Sequence, residues 1–79
     1  MASKPIPKKH LKKLDYLSSY FRELRFSDGL TRKEVSEEID LNLNTISRIE
    51  NSENHTLLTL FTLADYYDID IQELFFDMN

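Results

Sequence analysis

The chain has 79 residues, 41% of them hydrophobic, with no cysteine and a formal net charge of −4. That length makes one domain near the lower limit for a self-sufficient core, and the lack of thiols excludes disulfides and thiolate metal sites. One Gly and two Pro leave little room for β-hairpins, and no apolar run approaches the ~18 residues of a membrane span, nor does a signal-peptide pattern occur, so an all-α domain in the cytoplasm is expected.

Residues 1–7, MASKPIP, hold both prolines and read as a flexible arm ahead of a domain over 8–79. From Lys8 a helical pattern begins, expected over about 8–27, in which Leu14, Leu17, Phe21 and Leu24 recur at three- and four-residue steps as one apolar stripe. Gly29 suits the left-handed position just past its end. Thr31 and Glu34 form a capping box, the Thr accepting from the helix amides and the Glu reaching back. The second helix is expected over about 32–39, burying Val35 and Ile39, with Ser36 tolerated inside if its hydroxyl bonds back to the helix. Asp40 falls at a sharp turn and tolerates a left-handed backbone. Asn42 is a good N-cap for a third helix over about 43–51, which buries Ile46 and Ile49. Thr56 starts a fourth helix over about 57–67, where Leu57, Leu60, Phe61, Ala64 and Tyr67 keep the helical step. Asp70 and Glu73 read as a second capping box, opening a short helix over about 71–76 with Ile71, Leu74 and Phe75.

The charge is unevenly spread. Residues 1–49 carry ten basic side chains against seven acidic ones, whereas residues 50–79 carry seven acids and no Lys or Arg. A net-acidic chain is an unpromising nucleic-acid binder, but all its positive charge lies in the first two thirds. Within that part, Gly29 to Glu50 reads as two short helices joined by a tight turn, the second with polar residues on one face. That is the pattern of a helix-turn-helix, which places one helix in the major groove of DNA. No Ser, His, Asp order, Gly-rich phosphate loop or carboxylate pair stands out, and His10 and His55 lie far apart without ligand spacing, so neither catalysis, a metal, a cofactor nor a small-molecule ligand is expected.

From about Leu14 to Phe75 the chain resembles the single-domain helix-turn-helix proteins of the phage Cro and repressor type, the Xre family. The likeness is carried by RELRFSDGLT, by NTISRIEN and by LFTLADYYDIDIQELF. It implies a compact, lambda-repressor-like bundle of five helices that binds double-stranded DNA, and residue roles follow from it. Leu43, Asn44 and Thr45 at the start of the third helix, and Arg48 one turn on, fall at base-reading positions. Arg32 falls where the family contacts phosphate or an outer base, and Asn51 matches a phosphate-binding Asn. Arg25 and Glu50 match a partly buried salt bridge. The family often dimerises through the last helix and the loop before it, which here means Tyr67, Ile69, Phe75 and Phe76.

Chemistry agrees with these roles: Arg can take O6 and N7 of guanine with two hydrogen bonds, and Asn can do the same with adenine. Leu43 can only touch a thymine methyl or cover a neighbour. Lys33, Lys9 and Lys12 are candidate phosphate contacts, although the basic run from Lys8 to Lys13 also reads as a solvated helix start. Arg48 is alternatively a solvated or phosphate-only side chain, and Asn44 alternatively a local cap. The loop Ser52 to His55 carries Glu53 and no Lys or Arg, where the family usually grips phosphate. Two functions follow as expectations: a transcriptional regulator that binds a palindromic operator as a homodimer, or an interaction module of the same fold, antitoxin-like, working through its acidic and aromatic C-terminal third.

Overall fold

The computed structural model describes residues 6–78; the expected arm lies, for residues 1–5 including Lys4, outside the described residues. Five helices follow one another: α1 (Lys8–Ser27), α2 (Arg32–Ile39), α3 (Leu43–Glu50), α4 (Leu57–Tyr66) and α5 (Ile71–Asp77). No strand occurs among the described residues. The third and fourth helices each stop one residue before the sequence reading, and the fifth runs one residue further.

Local chemistry sets each boundary. Pro7 precedes α1 and its carbonyl takes the amides of His10 and Leu11 at 2.9 and 3.2 Å. At the far end the Gly29 amide bonds to the Phe26 carbonyl at 3.0 Å and the Leu30 amide to the Arg25 carbonyl at 3.2 Å, with Gly29 at φ 70°. This paired closure satisfies carbonyls that the helix leaves free. The last turns of α3 and α4 close in the same left-handed way at Ser52 (φ 60°) and Asp68 (φ 57°), through Glu53 N–H to Arg48 at 2.8 Å and Ile69 N–H to Ala64 at 2.8 Å. With a single glycine in the chain, two of these three positions bear a side chain in a conformation that disfavours one.

Thr31 caps α2, accepting from the Glu34 amide at 3.1 Å while the Glu34 carboxylate accepts from the Thr31 amide at 2.9 Å. Those bonds hold the Glu34 carboxyl below the usual carboxylate range. Asn42 caps α3 through the Asn44 amide at 2.7 Å, and Thr56 caps α4 through the Thr59 amide at 3.2 Å. The second capping box is only half formed: Asp70 accepts from the Gln72 amide at 2.9 Å, two positions on, without the return bond from Glu73. The Glu73 side chain is exposed.

The core joins Leu17 and Phe21 of α1, Val35 of α2, Ile46 and Ile49 of α3, Leu60 and Leu63 of α4 and Leu74 of α5. Ile39 and Leu24 pack against it half-buried. Helix α4 turns differently from the sequence reading. Leu57 and Phe61 face outward, 65% and 46% exposed, and Thr59 and Leu63 take the inward places beside Leu60 and Ala64. The segment LLTLFTLADY is apolar nearly all round, so spacing alone does not choose its inner face. Ser36 is half-buried and its hydroxyl donates to the Lys33 carbonyl at 2.7 Å. No helix among the described residues is long and apolar enough to cross a membrane.

Candidate nucleic-acid interface

Between α2 and α3 lie only Asp40, Leu41 and Asn42, and Asp40 takes the left-handed conformation at φ 54°. That one residue reverses the chain without glycine, since a short polar side chain is the least costly there. Helix α3 buries Ile46, Ile49 and Glu50 on one side. Asn44, Arg48 and Asn51 are exposed on the other, at steps of four and three that align them on one face. Leu43 is 42% exposed at the first position of the helix, and Thr45 is half-buried beside it. Arg48 is exposed and forms no salt bridge among the described residues, so its full charge is presented to solvent.

The inner side of α3 is anchored by charge. Glu50 is 2% exposed, and its carboxylate accepts from Arg25 Nε at 3.0 and 3.1 Å and from Arg25 Nη2 at 2.9 Å. Arg25 is itself buried, and its Nη1 donates to the Leu30 carbonyl at 2.9 Å. The hydrogen bonds to Glu50 raise the Arg25 pKa further, outweighing the opposite effect of burial. The buried Ser18 hydroxyl donates to the Glu50 main-chain carbonyl, which ties α1 to the last turn of α3. Glu50 and Arg25 together therefore tie α1, the loop before α2 and α3 to one another.

A third arm was not legible in the sequence. Arg32, the first residue of α2, donates from Nε to Glu50 at 3.0 Å and from Nη2 to the Asn51 Oδ1 at 3.3 Å. Its side chain is 31% exposed, so it is drawn into the cluster rather than extended into solvent. Lys33, Lys9 and Lys12 are exposed. The loop after α3 contributes no basic residue, and His55 turns its Nδ1 toward the Glu53 carbonyl at 3.2 Å.

On the C-terminal side the residues expected at a dimer face divide. Tyr67 and Ile69 pack against the core, whereas Phe75 and Phe76 are 41% and 79% exposed. The Tyr67 hydroxyl is buried without a hydrogen-bond partner among the described residues, and burial, then the nearby Glu50 charge, pushes its pKa up to about 12. Tyr66 donates to the Glu38 carboxylate, joining α4 to α2, and that bond likewise raises its pKa to about 12. The outer side of α5 forms a shallow hollow of about 530 Å³ lined by Asp70, Gln72, Glu73, Phe76 and Asp77. No cluster of potential metal ligands occurs among the described residues.

Residues 16–74 match a protein family described as helix-turn-helix. Among solved structures, the fold is similar to that of a mutant form of the restriction-modification controller protein C.Esp1396I, with a TM-score of 0.67 and 24% sequence identity, covering 84% of this chain and 85% of that one. No curated protein sequence matches the chain.

Proposed function

The chain belongs to the helix-turn-helix family, as a Cro/C1-type DNA-binding regulator of transcription, and from that premise we propose that it binds a palindromic operator as a homodimer with α3 in the major groove. The observation that carries this reading is the outer face of α3: Asn44, Arg48 and Asn51 stand exposed in line, on a helix whose other face is locked by Ile46, Ile49 and the buried Glu50. A rigid helix with an unpaired arginine is suited to direct readout, because the backbone that carries the side chains is already ordered before DNA is met. Asn44 and Arg48 read bases, with Leu43 and Thr45 shaping the contact at the helix start. Asn51, Lys33, Lys9 and Lys12 serve the phosphates, and Arg32 stands beside Asn51 with its Nη2 at 3.3 Å from Oδ1. The second copy docks through Phe75 and Phe76, with Tyr67 and Ile69 behind them, which sets the two recognition helices about one helical turn, ~34 Å, apart.

Selection of bound sites from a random double-stranded DNA pool at moderate salt tests the proposal. An inverted repeat with half-sites about ten base pairs apart is the expected result. A second reading is favoured by a specific feature, the acidic hollow beside the exposed Phe76 on α5: the domain then works by holding a basic protein partner. Folded protein that enriches no DNA sequence would point to that reading instead.

A further inference from the structure

We infer that Arg32 acts on DNA chiefly as a positioning residue, by fixing the carboxamide of Asn51 so that its NH2 group faces the phosphate backbone. The inference rests on the DNA-binding reading above and adds to it a role for the contact between Arg32 and Asn51. Arg32 reaches Asn51 across 19 positions of sequence, from the first turn of α2 to the residue that ends α3. Its guanidinium is held in place by the buried Glu50 carboxylate, 3.0 Å from Nε, so the adjacent Nη2 arrives at Asn51 from a set direction.

The orientation of the Asn51 amide follows from chemistry. A guanidinium carries donors only, so the Asn51 atom that meets it must be the carbonyl oxygen. The Asn51 Nδ2 then points away from Arg32, and among the described residues no hydrogen bond engages it. Asn51 is exposed and continues the line of Asn44 and Arg48 on the outer face of α3. Two N–H donors are thereby aimed at an acceptor on the DNA side, which a phosphate oxygen supplies. Without Arg32 the carboxamide rotates freely and presents its oxygen as often as its NH2, and a carbonyl oxygen repels phosphate.

The salt dependence of binding separates positioning from direct contact. An arginine that neutralises a phosphate releases a counterion and steepens the slope of log K against log salt by about 0.9, whereas a neutral Asn–phosphate bond contributes nothing to the slope. The expected result is an affinity loss of about tenfold with the slope unchanged in Arg32→Gln, which removes the charge, and a similar loss in Arg32→Lys, which keeps the charge but loses the fork. Asn51→Ala should cost about the same, and the double variant no more than either single one. Parent-like affinity in Arg32→Lys, or additive losses in the double variant, would overturn the inference. So would a slope reduced by about 0.9 in Arg32→Gln with Asn51→Ala binding like the parent. A DNA-independent measurement keeps the two readings apart: side-chain NMR of Asn51 in the free protein should show one χ1 and χ2 rotamer in the parent and averaging in Arg32→Lys. Averaging already present in the parent would refute the positioning role whether or not the protein binds DNA. Failure of the parent to bind any DNA, with Asn51 still fixed, would refute only the DNA-binding reading.

Discussion

Replacing Glu50 by Gln keeps the volume of the side chain and removes its charge. Arg25 is then left buried, at 7% exposure, with two neutral acceptors, the Leu30 carbonyl and the new amide oxygen, and no counter-charge. It cannot shed its proton, since its pKa lies far above neutrality and is raised further in the folded chain. Breaking a buried pair by removing one partner costs about 3–5 kcal/mol, mostly the penalty of the uncompensated charge. Arg32 softens this little, because it is part-exposed and simply turns to water. For a domain of this size each kcal/mol lowers Tm by roughly 4–8 °C, so Glu50→Gln should lose at least about 12 °C. Thermal and urea unfolding followed by circular dichroism would measure it. The double replacement Arg25→Met with Glu50→Leu removes both charges together, and should be more stable than Glu50→Gln alone. A Glu50→Gln variant within about 1 kcal/mol of the parent, or a double variant whose loss equals the two single losses combined, would refute this account of the cluster.

Four further outcomes are expected. Thr31→Ala removes the acceptor for the Glu34 amide and should cost about 1 kcal/mol in denaturant unfolding, with a weaker fall of stability in acid. The sign follows from linkage: a carboxyl whose folded pKa is depressed stabilises above its unfolded pKa and loses that contribution as pH falls. Tyr66 and Tyr67 have the opposite sense. Their folded pKa values near 12 exceed the unfolded value of 10, so their contribution is intact below pH 10 and is lost as pH rises toward 12. Base titration of unfolding in Tyr66→Phe and Tyr67→Phe should show a shallower fall across that window. Ser52→Gly relieves a left-handed backbone at φ 60° and should raise stability by up to about 1 kcal/mol, whereas Gly29→Ala, whose new methyl meets nothing within 4 Å, should lose about 1 kcal/mol through the backbone alone. Phe75→Ser with Phe76→Ser should convert the proposed dimer to monomer in sedimentation equilibrium while leaving the helical spectrum unchanged.

Much of this fold is written in local signals. The Thr31 and Glu34 pair, Asn42 and Thr56 start their helices by side-chain chemistry that sequence spacing reveals directly. Asp40 was recognisable as a turn residue because few other side chains accept its conformation. What remained hidden depends on which of several equivalent faces tertiary packing selects. In α4 apolar residues surround the helix, so the burial of Leu63 and the exposure of Leu57 and Phe61 were settled by the neighbours and not by periodicity. Asp70 and Glu73 have the spacing of a capping box, yet only one of the two bonds forms. The exposed polar face of α3 was legible from the motif, but the attachment of Arg32 to Glu50 and Asn51 joins residues 18 and 19 positions apart, and no spacing rule connects them.

On the proposed reading, α3 reads base edges through Arg48. The direct measurement is a base-by-base affinity profile of the parent and of Arg48→Ala on the selected operator, varying one position at a time. A loss of about 1–3 kcal/mol is expected for Arg48→Ala, with preference relaxed at one base pair in each half-site and retained elsewhere. An unchanged profile, or a uniform weakening at every position, would contradict base readout by Arg48 and leave it a charge beside the backbone.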